Sequence, residues 1–374
     1  MERSRSIYNL YYEWWKNIDK LLFSLIILLF ITGLFFSLVS TSLLVSDKLN
    51  TNDYTFFFKH LFFVFLGIII IFILSSINEE KLFKISPIVF LFSIFFLVLV
   101  PVIGVEVNNA KRWIDLYFLP RFQPIELVKP FLIILISIIL SSEKYTNIYL
   151  KYFVTFLITL IIALLLAAQP DIGQTLLVFF SWSVLIFISG INIIFLMASC
   201  LTLSVALYFL IRFLPKFEYI KNRILSFFDS ETGTHNAQSE KAIESITSGG
   251  YFGKGIGEGT LKNRVPEAHT DYIISIISEE FGVIAIILIL FLFLIFIYSV
   301  FKKVYLENKE RIKLILVGCV SLILVQAMIH IGVNIRLFPT TGMTLPFISY
   351  GGSSIISVSI LSGIILNLTK RKVR

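Results

Sequence analysis

Ten apolar runs divide the chain, at about 20–45, 55–77, 85–105, 125–142, 152–168, 172–189, 192–213, 283–301, 312–335 and 346–369. Each approaches the roughly 20 residues that an α-helix needs to cross a bilayer core. The eighth helix is expected to start earlier than its run, near Asp271, where the pattern turns helical. Only Gln169-Pro170-Asp171 separates the fifth run from the sixth. The pattern predicts an all-α polytopic membrane protein, with ten transmembrane helices and one long loop between helices 7 and 8. Residues 1–19 form a leading segment, 20–213 hold helices 1–7, 214–270 the long loop, 271–369 helices 8–10, and 370–374 a basic tail.

The breaks between runs carry a charge bias. With the N-terminus inside, the cytoplasmic segments hold 17 Lys and Arg residues, from Arg3 to Arg374, against five in the short outer loops (Lys48, Lys111, Arg112, Arg121, Arg336). This positive-inside asymmetry puts both termini in the cytoplasm. The long loop, the loops at 106–124 and 336–346 and the break at 169–171 then face outward. The leading segment, with Trp14 and Trp15, reads as an interfacial lead-in and not as a secretory signal.

Composition supports this reading. Hydrophobic residues make up 57% of the chain and charged ones 15%, with 38 Phe, and the mean hydropathy is +0.89. The net charge of +8 follows from topology, so no nucleic-acid partner is implied. Cys200 and Cys319 both lie in apolar runs, which indicates packing and not a disulfide. The four histidines, His60, His235, His269 and His330, show no metal-ligand spacing.

Candidate chemistry gathers on the outer side. Six glycines between Gly249 and Gly259 precede Pro266-Glu267-Ala268-His269-Thr270-Asp271. The glycines match neither a P-loop nor a dinucleotide fingerprint; they offer a pliable backbone able to lie close to a ligand. Asp271 is either a carboxylate held at the membrane surface or, with Thr270, the cap of the next helix. Asp271, Ser275, Ser278 and Gly282 would share one polar helix face. Gln123-Pro124-Ile125-Glu126 and Gln169-Pro170-Asp171 each open a helix with proline in the first turn and an acid just inside. Glu126 and Lys129, three apart, could pair with each other or line a polar cavity. Lys111 and Arg112 suit headgroups or a diphosphate. The stretch 338–354, with two prolines and three glycines, predicts irregular backbone supported by protein or water, its Gly351-Gly352 pair a close-packing site. In the long loop, stretches such as Tyr219–Phe228 predict short helices lying at the interface.

Several long stretches together resemble the SEDS family (shape, elongation, division and sporulation), membrane glycosyltransferases typified by FtsW and RodA. They are NNAKRWIDL, QPIELVK, QPDIGQTLLV, SGGYFGKGIGEGT, VPEAHTDYIISIISEEFG and LFPTTGMTLPFISYGGSS, in family order. Two positions depart from the family pattern, Asn109 and Ile125. The resemblance implies polymerisation of lipid II into β-1,4-linked glycan strands, with undecaprenyl diphosphate as leaving group. It implies Asp271 of the HTD motif as catalytic base and His269, Lys111, Arg112, Glu126, Lys129 and Asp171 as substrate-binding candidates. Arg112, Lys129 or a divalent cation such as magnesium or manganese could neutralise the diphosphate. A class B penicillin-binding protein and other division proteins are the implied partners, with the Trp pair and the TGMTLPFISYGGSS wording closer to the division branch than to elongation. A lipid II flippase would need a polar track through the whole membrane, whereas the charges within spans sit near their outer ends. A non-catalytic scaffold and an acyltransferase built on His330 are further readings.

Overall fold

The computed structural model describes residues 11–40, 55–107, 110–115, 120–143, 147–218, 221–222, 225, 227, 234–261 and 268–370. A helix occupies each of the ten apolar runs. They are α1 (Lys20–Ser40), α2 (Thr55–Ser76), α3 (Glu79–Ile103), α4 (Pro124–Leu140), α5 (Ile148–Ala168), α6 (Ile172–Ile188) and α7 (Ile193–Phe213). After the amphipathic helix α8 (Thr234–Gly249) come α9 (Ile273–Leu306), α10 (Glu310–Asn334) and α11 (Gly352–Leu368). Among the described residues, seven helices are long and apolar enough to cross a membrane. The other three, α4, α6 and α11, are each only 17 residues long, and α4 also carries Glu126 and Lys129.

Helix α10 lies at the centre, with 78% of its apolar window buried, whereas α7 lies at the rim with 11%. Small residues let the central helices approach. A Cβ on Gly318 would strike Ile133 of α4, and one on Gly363 would crowd Leu74 and Ile71 of α2. Gly352 faces the ring of Phe63, so the close packing expected at the Gly-Gly pair is present.

The two ends of the bundle differ in chemistry. At one end Lys303 pairs with Asp19 at 2.5 Å and Lys309 with Glu79 at 2.7 Å. Arg311 Nε donates to Ser141 Oγ, and Lys370 Nζ to the Ile77 carbonyl. Four of the residues behind the positive-inside bias therefore meet at one end, and the candidate site residues lie at the other.

Two local details differ from expectation. The all-α reading omits an antiparallel hairpin after α3, Val105–Val107 with Ala110–Trp113; alternating side chains in Val-Glu-Val and Ala-Lys-Arg-Trp suit a strand with one face covered. Pro170 is not in a first helical turn, because Asp171 is the N-cap of α6 and Pro170 precedes it. The interfacial stretch Tyr219–Phe228 lies mostly outside the described residues, as do Pro266 and Glu267.

Candidate active site

Five polar segments converge at the site end, and one chain of bonds joins four of them: the hairpin, the starts of α4 and α6, and the segment before α11. In the hairpin, alternation sends Lys111 and Arg112 to opposite faces. Lys111 is exposed opposite Glu106, outside the network. Arg112 is turned inward: its guanidinium donates to the carbonyls of Gln169 and Pro170 and lies 3.7 Å from Asp171 Oδ2. Asp171 also accepts from Gln123 Nε2 at 3.1 Å and, as N-cap, from the Gln174 N–H. Gln174 Nε2 donates to Glu126 Oε1 at 2.9 Å, and the other Glu126 oxygen meets Lys129 Nζ at 2.8 Å. Lys129 continues to Gln326 Oε1 at 3.4 Å, and Gln326 Nε2 donates to the Thr344 carbonyl.

The network reaches the irregular segment before α11, which is held by side chains from several helices. His330 Nδ1 is 2.7 Å from the Met343 carbonyl, so this histidine finds its partner on another element. Ser349 Oγ donates to the Thr270 carbonyl at 2.8 Å. Within the segment, Thr341 packs on Gly173 near the start of α6, and Gly342, at φ +69°, faces Asp271, whose Oδ2 lies 3.6 Å from where a Cβ would stand. The segment thus bridges the surroundings of Asp171 and Asp271.

Asp271 closes a one-turn helix, Ala268–Asp271, and is half-buried. It does not cap α9, whose N-cap is Tyr272. Asn334 of α10 pins it: Nδ2 donates to the Asp271 carbonyl at 3.0 Å, while Oδ1 accepts from the Ser275 N–H and hydroxyl. Ser275 is therefore used in packing against α10, and the expected polar face ends at Gly282, where φ +77° breaks the helix. His269 packs between Phe56, at 4.8 Å between ring centroids, and Tyr350, at 6.2 Å. Burial holds its imidazole below the usual histidine range, so it is neutral at physiological pH.

Burial sorts the substrate-binding candidates. Glu126 and Lys129 are 3% and 1% exposed, and Asp171 3%. These three brace α4, α6 and α10 and offer no surface to a ligand, unlike Arg112, Lys111 and His269. The sequence reasoning missed Gln123, Gln174, Gln326 and Asn334, although polar side chains in an apolar helix are the signal that marks them.

It also missed Glu279 and Glu280, both 1% exposed in α9. The glycine-rich loop closes on this pair. Glu279 accepts from Lys254 Nζ at 2.9 Å, from the N–H and hydroxyl of Thr260 and from the Leu261 N–H. Glu280 Oε2 accepts from the Gly257 N–H. Gly253, Gly255 and Gly257 all have positive φ, and a Cβ on Gly253 would strike the Glu280 backbone.

The family model for FtsW, RodA and SpoVE, described as cell cycle protein, matches residues 19–373. The chain is similar to a probable peptidoglycan glycosyltransferase FtsW of Caulobacter vibrioides, 30% identical over 365 residues, covering 96% of this chain and 91% of that protein. It is similar also to a protein of the same description from Wigglesworthia glossinidia brevipalpis, 33% identical over 349 residues, covering 91% of this chain and 90% of that one. In fold it matches a chain solved in a peptidoglycan synthase complex that coordinates polymerization and crosslinking, with TM-score 0.77, 24% identity and coverage of 94% and 97%.

Proposed function

The chain belongs to the family of FtsW, RodA and SpoVE cell cycle proteins, and on that premise we propose that it is a peptidoglycan glycosyltransferase polymerising lipid II at the division septum, with Asp271 as general base. Relatives named as glycosyltransferases of the FtsW kind support the activity and the division branch. The observation that carries the site is the setting of Asp271: a half-buried carboxylate pinned through Asn334 and facing Gly342, on the same irregular segment that Gln326 ties to the Glu126–Lys129 pair.

In this reading Asp271 takes the proton from the acceptor sugar's 4-hydroxyl. The freed oxygen forms a bond to the donor's anomeric carbon while the bond from that carbon to the diphosphate breaks on the opposite face. Undecaprenyl diphosphate leaves with the electron pair, and inversion yields the β-1,4 link. General base catalysis contributes about 10²–10⁴-fold, so holding two lipid-anchored sugars together must supply the rest. Arg112 is the cation with both access and fork geometry for the diphosphate. Among the described residues no three His, Cys, Asp or Glu side chains gather as metal ligands. The basic end of the bundle faces the cytoplasm and the site faces outward. A class B penicillin-binding protein crosslinks the product.

The test is glycan formation from labelled lipid II by the purified chain with its penicillin-binding partner. Asp271→Ala and Asp271→Asn are expected to fold normally and to give no polymer. Full activity in either would reject Asp271 as base. Label crossing between leaflets without polymer in the unmodified protein would point to a flippase, and neither event to a scaffold. A tagged copy is expected at midcell and not along the sidewall.

A further inference from the structure

The most exposed apolar side chains of the glycine loop are large: Tyr251 is 76% exposed, Phe252 83% and Ile256 65%. Neighbouring bonds fix their height. The Val283 N–H donates to the Gly250 carbonyl and the Ile284 N–H to the Tyr251 carbonyl. The loop tip is thus level with the first residues of the apolar run of α9, whose Ile284, Ile287 and Leu288 are themselves exposed as lipid-facing side chains would be. The apolar surface continues sideways, because Phe281 packs on Phe35 and Phe36 of α1 at 5.7 and 5.3 Å between ring centroids. A tip joined to a lipid-facing surface at its edge sits where aromatic rings are favoured, at the boundary between headgroups and acyl chains.

We propose that Tyr251, Phe252 and Ile256 form a membrane anchor that inserts into the headgroup region of the leaflet at the site end. The anchor is rigid. Positive φ at Gly253, Gly255 and Gly257 shapes the turn, and bonds to the Glu279 and Glu280 side chains and to the backbone of Glu279, Glu280, Val283 and Ile284 fasten it to α9. Gly282 lets α9 bend back onto the loop, since a Cβ there would strike Tyr251. The occupant is lipid and not protein because the tip extends a lipid-facing surface and its one cation, Lys254, is turned back onto Glu279. If the proposed function is right, the anchor also fixes the height of Asp271 against substrates whose diphosphates lie among the headgroups; the anchor itself does not depend on that reading.

The test uses the full chain in nanodiscs of phosphatidylethanolamine and phosphatidylglycerol, with Cys200 and Cys319 replaced by alanine. An environment-sensitive NBD label is attached at Phe252→Cys and, for comparison, at Asn308→Cys, an exposed position at the basic end. At position 252 the label is expected to emit to the blue, to resist iodide, and to be quenched by lipids spin-labelled near the headgroup; at 308 it is expected to behave as in water. The same comparison at Tyr251→Cys guards against a label that inserts on its own, and Glu279→Ala should release the tip and restore iodide quenching. Iodide access at 251 and 252 in the intact loop would overturn the proposal. So would access that is lost only on adding the penicillin-binding partner, which would make the tip a protein-docking surface. Polymerisation is not read, so failure here leaves the proposed activity standing.

Discussion

Replacing Glu279 by alanine tests whether the glycine loop is held by a buried carboxylate or by its own backbone. Glu279 serves four donors: Lys254 Nζ, the Thr260 N–H and hydroxyl, and the Leu261 N–H. Leu261 is fully buried, so its orphaned N–H costs the full amount of about 1–3 kcal/mol, and the half-wet Thr260 groups add roughly half of that. Lys254 is 35% exposed and rehydrates, so its loss counts for less than about 1 kcal/mol. The sum is about 1.5–5.5 kcal/mol, which accelerates local opening by roughly 10- to 10,000-fold. Hydrogen exchange reads this at the amides of Lys254 and Gly255, which donate to the Glu279 and Glu280 carbonyls. Glu279→Ala should speed their exchange by that factor, whereas Lys254→Ala should change it by less than about fivefold. Equal effects from the two variants would refute the reasoning, because the ion pair and not the buried backbone groups would then hold the loop.

Other consequences are as direct. Lys129→Met leaves Glu126 buried without its cation and should cost about 3–5 kcal/mol, read as a lower melting temperature in detergent; Glu126→Leu with Lys129→Met should cost less than the single change. Gly342→Ala has room for its methyl but must hold φ +69°, a strain of about 1–2 kcal/mol, so glycan synthesis should slow while Gly342→Asn, which tolerates that backbone, retains more of it. Burial raises the Asp19 carboxyl, but bonds from Lys303 and from the Leu22 and Leu21 N–H groups more than reverse this and leave it below the ordinary aspartate range. Such a depressed carboxyl adds stability above the usual pKa of about 3.9 that is lost as pH falls through the folded value, so melting curves below about pH 4 should be flatter for Asp19→Asn.

The membrane made the helices readable. A span must be both long and apolar, and each of the ten runs coincides with a helix. The Glu126–Lys129 pair was readable for a similar reason, since three residues along a helix bring two side chains together. Nothing local announces the rest of the network. Arg112 and Asp171 are 59 positions apart and meet because a two-strand hairpin turns one of two adjacent cations inward. Glycine density was readable as freedom to approach something closely, but not as approach to Glu279 and Glu280. The partner of a permissive backbone is set by tertiary packing, and here it is a pair of acids that a purely lipid-facing helix would not carry.

Exposure among the acids of this end supports the proposed assignment of Asp271. Glu126 is engaged by Lys129 and Gln174, Asp171 by Arg112, Gln123 and the α6 N-terminus, and Glu279 by Lys254 and two residues of the loop. All three are almost wholly buried, as an ionised carboxylate can be only when its oxygens are supplied with donors. Each of these side chains is committed to bonds that join helices or fasten the loop. Of these four acids, Asp271 alone keeps surface, and Asn334 pins it through its main-chain carbonyl. Holding the backbone still while the side chain faces a glycine is what a base needs if a sugar hydroxyl is to reach it.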